Sequence, residues 1–365
     1  MILAIETSCD DSAVALINLQ GEVLYSEISS QIKLHERFGG IVPEIASRKH
    51  LTTLPLILRE LFRTQSLRPA DLSAVAVTYA PGLIGSLLVG VSFAKSLAWL
   101  FNKPLIGVDH LEGHLLAPFL DHPDLSFPYL ALIASGGHTH LYIANGIGQY
   151  ELIGKTIDDA AGEAYDKVAK MLGFKYPGGP SIDKIAEEYK GGDIEFPIPL
   201  NGKKTLNFSF SGLKTALRNE IIKQGCYWEG SELFGYDSFL QDDFPGNRDR
   251  IINLASSFQR TMEVIITKRM EQAINQTGLK RFVLSGGVAS NIGIRRSLTK
   301  MAKKKKAMFY FPEKIHCTDN AAMIGYTAFR HLSVNQELLL KNIPFKVNSK
   351  SPMGQLEISS ATMKT

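Results

Sequence analysis

LAIETSCDDSAVALIN, Leu3 to Asn18, and LALIASGGHTHLYIAN, Leu130 to Asn145, decide the fold. Each is an apolar run, a short polar turn and a second apolar run; the two have the same length and close on the same asparagine. Apolar runs on either side of a turn of Ser, Asp and Gly residues read as β-hairpins. A hairpin that recurs in each half of a chain implies a duplicated architecture.

Between the hairpins, Pro43 to Phe62 and Gly85 to Phe101 carry helical periodicity around the strand-like Ala74 to Tyr79. In the second half, helices are expected at Asp159 to Leu172, Ser181 to Tyr189 and Ile251 to Gln276, and a strand at Arg281 to Leu284 meets the glycine turn of SGGVASN. Two related α/β domains with a cleft between them follow, both hairpin turns facing the cleft. The expected divisions are an N-terminal domain over 1–109 and a C-terminal domain over 110–325 with an insertion near 224–250. A terminal helix over 326–345 returns toward the first domain, and 346–365 forms a poorly ordered tail.

The turns differ in chemistry. The first offers Thr7, Ser8, Asp10, Asp11 and Ser12, the second Ser135, Gly136, Gly137, His138 and Thr139. Small residues with exposed backbone N–H groups are what a phosphate needs from a turn, although glycine also serves tight turns for steric reasons alone.

Composition excludes several classes. Of the 365 residues, 45% are hydrophobic and 21% charged, the values of a soluble globular protein. No apolar run reaches the roughly 18 to 20 residues of a membrane span, and Met1 leads directly into a strand, so a cytoplasmic protein without membrane contact is expected. Three scattered cysteines, Cys9, Cys226 and Cys317, form neither a disulfide framework nor a thiolate zinc site. The net charge of +4 is too small to define a nucleic-acid binder. Its crowding at Arg295, Arg296, Lys300 and Lys303 to Lys306 fits either an RNA contact or a solvated helix end.

HLEGHLLAP, His110 to Pro118, holds two histidines four apart. On a helix they differ in direction by about 40° and could chelate one metal. Zinc proteases use the same spacing, but their glutamate follows the first histidine directly. Here Glu112 lies about 200° from His110, nearly opposite the pair, and a water bound on the histidine side is out of its reach. The best third ligand is Asp319 in HCTDNAAMIG, which could also simply cap the Ala-rich helix that follows.

Taken together, IETSCDDSAVAL, APGLIGSLLVGVSFAKSLA, KPLIGVDHLEGHLLAP, SGGHTHL, IDDAAGEAYDKVAKMLGFKYPGGPSID, NFSFSGLKTAL, SGGVASN and CTDNAAMIG resemble the TsaD family of tRNA threonylcarbamoyladenosine transferases, once described as O-sialoglycoprotein endopeptidases. The resemblance covers about residues 1 to 340. It implies the duplicated actin, sugar-kinase and Hsp70-like fold, two domains clasping a nucleotide. It also implies transfer of a threonylcarbamoyl group from threonylcarbamoyl-AMP to the exocyclic amine of the adenosine beside the anticodon, in tRNAs that read codons beginning with adenine. His110, His114 and Asp319 then resemble the metal ligands, with iron(II) the usual ion. Ile133, Ala134, Ser135, Gly136 and Gly137 resemble the phosphate-side loop, and Asp166, Gly179, Asp183 and Asn291 the nucleoside-binding residues. A TsaB-like paralogue and a TsaE-like ATPase are the partners implied.

Two features depart from the family. Its first turn usually ends in Glu followed by Thr or Ser, whereas this chain has Asp11 and Ser12; one methylene fewer shortens the carboxylate's reach by about 1.5 Å. Asp10 or Asp11 is the expected proton acceptor. The segment Cys226 to Arg250 has no counterpart in the usual bacterial pattern. Two rival functions share parts of this reading: a small-molecule kinase of the same fold, and a metallo-glycoprotease.

Overall fold

The computed structural model describes residues 1–335, 346–351 and 353, apart from 190–191, 229, 231–232 and 242–246. The first half builds β1 (Ile2–Glu6), β2 (Asp11–Ile17), β3 (Val23–Ser30), α1 (Pro43–Thr64), β4 (Ala74–Ala80), α2 (Ile84–Leu100) and β5 (Leu105–Asp109). The second builds α3 (His110–Leu116), β6 (Tyr129–Ala134), β7 (Thr139–Gly146), β8 (Gln149–Lys155), α4 (Ala161–Met171), α5 (Gly179–Glu188) and α6 (Ser211–Lys223). It continues with α7 (Arg248–Thr277), β9 (Arg281–Ser285), α8 (Ile292–Lys305), β10 (Met308–Tyr310) and α9 (Ala321–Val334).

The duplication is visible in the sheets. One runs β3-β2-β1-β4-β5 and the other β10-β9-β6-β7-β8. In each, a hairpin is extended by a third antiparallel strand on one side and by two parallel strands on the other. The hairpin registers, Glu6↔Ala13 and Ala134↔Thr139, put both expected turns at equivalent sheet ends. β1 and β6 are central and buried on both faces, which is why they read as continuous apolar runs.

Strands β3, β5, β8 and β10 are not distinct in the sequence. VLYSEISS in β3 alternates only weakly, because its two faces are both partly exposed at a sheet edge. β10 is three residues long.

Two expected divisions change. The boundary at 325/326 falls inside a helix, since α9 begins at Ala321. Ala321, Ala322, Ile324, Ala328 and Leu332 pack with Ile2, Ala4, Ala15, Ile17 and Ala76, so α9 covers the first sheet. Its expected extension over 336–345 lies outside the described residues. The expected poorly ordered tail begins with contacts: Val347 packs on the first core, the Asn348 N–H donates to Tyr79 O at 3.0 Å, and Ser351 Oγ to Asp109 Oδ2 at 2.6 Å. Its remainder, 354–365, lies outside the described residues.

The expected insertion near 224–250 is more than a surface loop. Phe239 is fully buried in the second core, and the Phe234 N–H donates to Gly173 O at 2.7 Å. No helix among the described residues is long and apolar enough to cross a membrane.

Candidate active site

β5 delivers the histidine pair. Asp109 ends the strand and caps α3, its Oδ1 accepting from Leu111 N at 2.8 Å, so the helix starts at His110. Every residue of α3 is buried, and His110 and His114 stack edge-on with ring centroids 4.7 Å apart. Asp319 arrives from the turn before α9. The cap of α9 is Asn320, whose Oδ1 accepts from Met323 N at 2.9 Å, and this leaves the Asp319 carboxylate free to face the histidines. Its Oδ1 lies 3.3 Å from His110 Nε2 and 3.2 Å from His114 Nε2.

Two imidazole nitrogens and a carboxylate oxygen thus gather within 4.8 Å of one another. This donor set fits a divalent metal of intermediate softness. The second layer fits too. His110 Nδ1 lies 3.1 Å from Glu6 Oε2 and 3.1 Å from Ser8 Oγ, so an Nδ1–H given to the buried carboxylate leaves the Nε2 lone pair for an ion. Burial opposes charge on His110, but the Asp319 and Glu6 carboxylates outweigh it and raise its pKa well above the usual imidazole value. His114 shifts the other way, held down by burial. The same ion pairs overcome desolvation at Asp319 and hold its carboxyl below the ordinary range.

The sequence does not single out Glu6, and Ser8 stands in it only as a turn residue. Glu6 also accepts from Ser8 N and Thr78 Oγ1, so a carboxylate with no exposure at the end of an apolar strand is fully engaged. A lone acid closing ILAIE was the available signal.

Glu112 points away from the pair. Its Oε1 accepts from Tyr150 Oη at 2.9 Å and lies 2.9 Å from His331 Nε2. The carboxylate that evokes a protease is a buried strut between α3, β8 and α9.

The first turn sits beside His110, whose Nδ1 lies 3.1 Å from Ser8 Oγ. Thr7 Oγ1 donates to Ser86 O at 3.0 Å, and a Cβ on Gly82 would meet Ser8 O at 2.5 Å, so the AlaProGly turn before α2 clasps the hairpin tip. Asp10 is 8% exposed, and burial, then the charge of Asp319, raises its pKa. Asp11 is pushed up to about 7, chiefly by burial, and its Oδ1 is buried without a partner among the described residues.

The second turn is open. A Cβ at Gly136 or Gly137 would meet nothing within 4 Å, whereas Gly162, in the first turn of α4, abuts Ser135 O and Gly136. Ser135 N donates to His138 O at 2.8 Å and closes the turn. Ile133 and Ala134 are fully buried strand residues, so only their backbone can approach a ligand. The glycine turn of SGGVASN lies against them: Gly286 has φ +88°, and its Cβ would fall 2.5 Å from Ala134 O.

The remaining predicted residues lie at the starts of α5 and α8 or bond to them. Asp166 Oδ1 accepts from Gly178 N at 2.7 Å, and burial raises its pKa to about 6. Asp183 accepts from Ile292 N at 2.9 Å and Gly293 N at 3.4 Å at the start of α8. Asn291 Oδ1 accepts from Ile294 N at 2.8 Å, and its Nδ2 donates to Gln259 Oε1 at 3.0 Å. Asp183 and Asn291 therefore also secure a helix start. Gly179 is different: its Cβ would make only an ordinary 3.9 Å contact with Tyr165, so nothing inside the protein demands glycine there. The neighbouring Gly178 is the packing glycine, with a Cβ that would fall 2.2 Å from Ala169 Cβ.

The basic segment divides. Arg295 is structural, with Nη2 donating to Pro312 O at 3.1 Å and its guanidinium 4.1 Å from the Phe311 ring centroid. Arg296 pairs with Glu187 and Lys305 with Glu271, both at 2.7 Å. Lys303, Lys304 and Lys306 stay at the surface, without ion pairs among the described residues.

Comparisons with known proteins give the family and the fold of the chain. The model of the TsaD family, tRNA N6-adenosine threonylcarbamoyltransferase, matches residues 22–326. The tRNA N6-adenosine threonylcarbamoyltransferase of Trichlorobacter lovleyi is 46% identical over 333 residues, covering 91% of this chain and 92% of that protein. That of Geotalea daltonii is 43% identical over 335 residues, covering 92% and 93%. Among solved structures, full-length HypF in its phosphate- and nucleotide-bound form superposes with a TM-score of 0.56 at 15% identity, over 91% of this chain and 46% of that one. Component A of the Acidaminococcus fermentans (R)-2-hydroxyglutaryl-CoA dehydratase gives 0.51 at 13%, over 91% and 98%. At such identities the likeness concerns the fold alone, the duplicated α/β architecture shared by actin, sugar kinases and Hsp70.

Proposed function

The chain belongs to the TsaD family of tRNA N6-adenosine threonylcarbamoyltransferases, and from that membership we propose how its own residues carry the reaction. It is a transferase that modifies adenosine in tRNA. In our reading the donor is threonylcarbamoyl-AMP and the acceptor is the N6 amine of the adenosine beside the anticodon, in tRNAs reading codons that begin with adenine. The new bond joins N6 to the carbamoyl carbon, the carbon–oxygen bond to phosphate breaks, and AMP leaves with the electron pair.

An aromatic amine is a weak nucleophile, so the site must align both reactants and stabilise the leaving phosphate. Gly136 and Gly137, with unhindered backbone, suit the phosphate. Asp166, Gly179, Asp183 and Asn291 suit the nucleoside, Gly179 by leaving room. Asp11, half-buried and with its Oδ1 buried and unpartnered among the described residues, is the proton acceptor, and Asp10 beside it raises the local negative potential.

His110, His114 and Asp319 would hold a divalent ion, iron(II) in our assignment. Bound there, the ion supplies a positive charge for polarising the carbamoyl carbonyl or clamping substrate oxygens. The observation that carries the reading is this gathering of three side chains from residues up to 209 positions apart, beside the first hairpin turn. Glu112, engaged by Tyr150 and His331, leaves a protease without its general base.

A TsaB-like paralogue is the expected partner of the apolar face of α1 and α2, where Leu51 is 61% and Leu88 49% exposed. A TsaE-like ATPase completes the proposed assembly. The deciding experiment combines the protein, pre-formed threonylcarbamoyl-AMP and unmodified tRNA, followed by nucleoside analysis. Absence of the modified adenosine, even with both partners added, refutes the assignment.

A further inference from the structure

A cavity rimmed by basic side chains lies apart from the residues of the candidate site. It has a volume of 230 Å³ and is bounded by the segment 198–204 and the C-terminal half of α7. Arg269, which forms its wall, is ten residues along α7 from Gln259, about 15 Å from the nucleoside end. The segment that follows the cavity runs along the edge strand β8, where a Cβ on Gly154 would meet Leu206 O at 2.3 Å.

Its charge is one-sided. Lys203, Lys204, Lys268 and Arg269 line it, and no acidic residue does among the described residues. Arg269 is only 7% exposed, yet its partners are all neutral: Nη1 donates to Thr205 O and, at 2.7 Å, to Gln272 Oε1, while Nη2 donates to Leu200 O at 3.4 Å. Its Nε is buried with no partner among the described residues. A buried guanidinium stays charged, and one without a counter-ion is costly unless an anion completes it.

The backbone is shaped to the same end. Leu200, a residue with a Cβ, is held at φ +54°, a strained conformation that brings its carbonyl onto Arg269. Gly202, at φ +75°, leaves the loop tip open, since a Cβ there would meet nothing within 4 Å. Lys203, Lys204 and Lys268 stand at the rim, and none takes part in an ion pair among the described residues.

We propose that this pocket binds a phosphate group, and that the phosphate is one from the tRNA backbone. A planar fork with a free N–H, ringed by ammonium groups, matches a phosphate's several acceptor oxygens. The rim favours a polymer over a free ion, because on the far side of α7 Lys303, Lys304 and Lys306 offer positions for further phosphates of the same strand. The choice of tRNA rests on the function proposed above.

The test is equilibrium binding of unmodified tRNA to the full chain over a range of salt concentrations, for the wild type and for K203A/K204A/K268A. The expected result is roughly tenfold weaker binding at low salt and a log–log salt slope shallower by about 1 to 3, with K203R/K204R/K268R behaving as wild type. A parallel calorimetric titration uses inorganic phosphate. Unchanged tRNA affinity and slope, with no phosphate bound, overturns the site; phosphate binding lost in the alanine variant while tRNA binding is unchanged overturns the tRNA assignment. A wild type that yields no modified adenosine in the reconstitution refutes the function instead, so the two failures are distinguishable.

Discussion

Glu112 and His331 meet through a 2.9 Å contact between Oε1 and Nε2, tying the short helix that carries both histidines of the candidate metal site to α9. Replacing Glu112 by Ala leaves Tyr150 and His331 without their shared acceptor. The expected cost is about 1–3 kcal/mol in stability, read by denaturant unfolding. Metal content should stay near wild type, whereas His114→Ala should lose it; loss of metal in both variants equally contradicts the strut role.

The same pair sets a pH dependence. Burial opposes charge on His331, but its bond to Glu112 prevails and raises the pKa above 6.5. A raised histidine contributes stability that is fully present below the unfolded value and is lost as pH rises through the folded one. Stability measured across the neutral range should therefore decline with pH in the wild type, and Glu112→Gln should flatten that decline.

Glu6→Gln removes the carboxylate behind His110 while preserving shape. Metal affinity, measured by competition with a chelator, should fall about 10- to 100-fold. An unchanged affinity means the Nδ1 contact does not orient the ring.

Asp11 carries a pKa of about 7. In its proposed role of base it would act when ionised, so turnover should rise with pH through about 7 and level off above it. Asp11→Asn should lower kcat about 10²- to 10⁴-fold and abolish that limb. Stability has the opposite sign: with the folded pKa raised above 3.8, ionisation costs stability as pH rises from about 4 through 7, so the Asn variant should be the more stable protein at about pH 8.

Two adjacent glycines separate packing from binding. Gly178→Ala drives a methyl into Ala169 and should cost about 1–3 kcal/mol. Gly179→Ala should fold as the wild type does but bind the nucleotide more weakly, as a calorimetric titration with AMP can show.

Much of this was legible in the chain itself. The repeated hairpins disclosed the duplicated sheets because central strands are uniformly apolar and their turns uniformly polar. The helical angle already directed Glu112 away from the histidines, and it points to Tyr150 and His331. What stayed hidden depends on distant partners. Glu6 becomes meaningful only when β5 brings His110 beside it, and Arg295, which in sequence fits either an RNA contact or a solvated helix end, is held by Phe311 and Pro312. Asn320 rather than Asp319 caps α9, a distinction of one residue that sequence could not make.

The helix that covers the first sheet is synthesised long after that sheet's own strands. Ala4, Ala15 and Ala76 lack their lid until α9, ending at Val334, has left the ribosome. At about 5–20 residues per second, that delay is on the order of ten seconds or more after the sheet's own strands are complete. Arrival of α9 also brings Asp319 to the waiting histidines. Over the same interval a nascent chain therefore lacks part of its first core and the aspartate of the His110, His114 and Asp319 group.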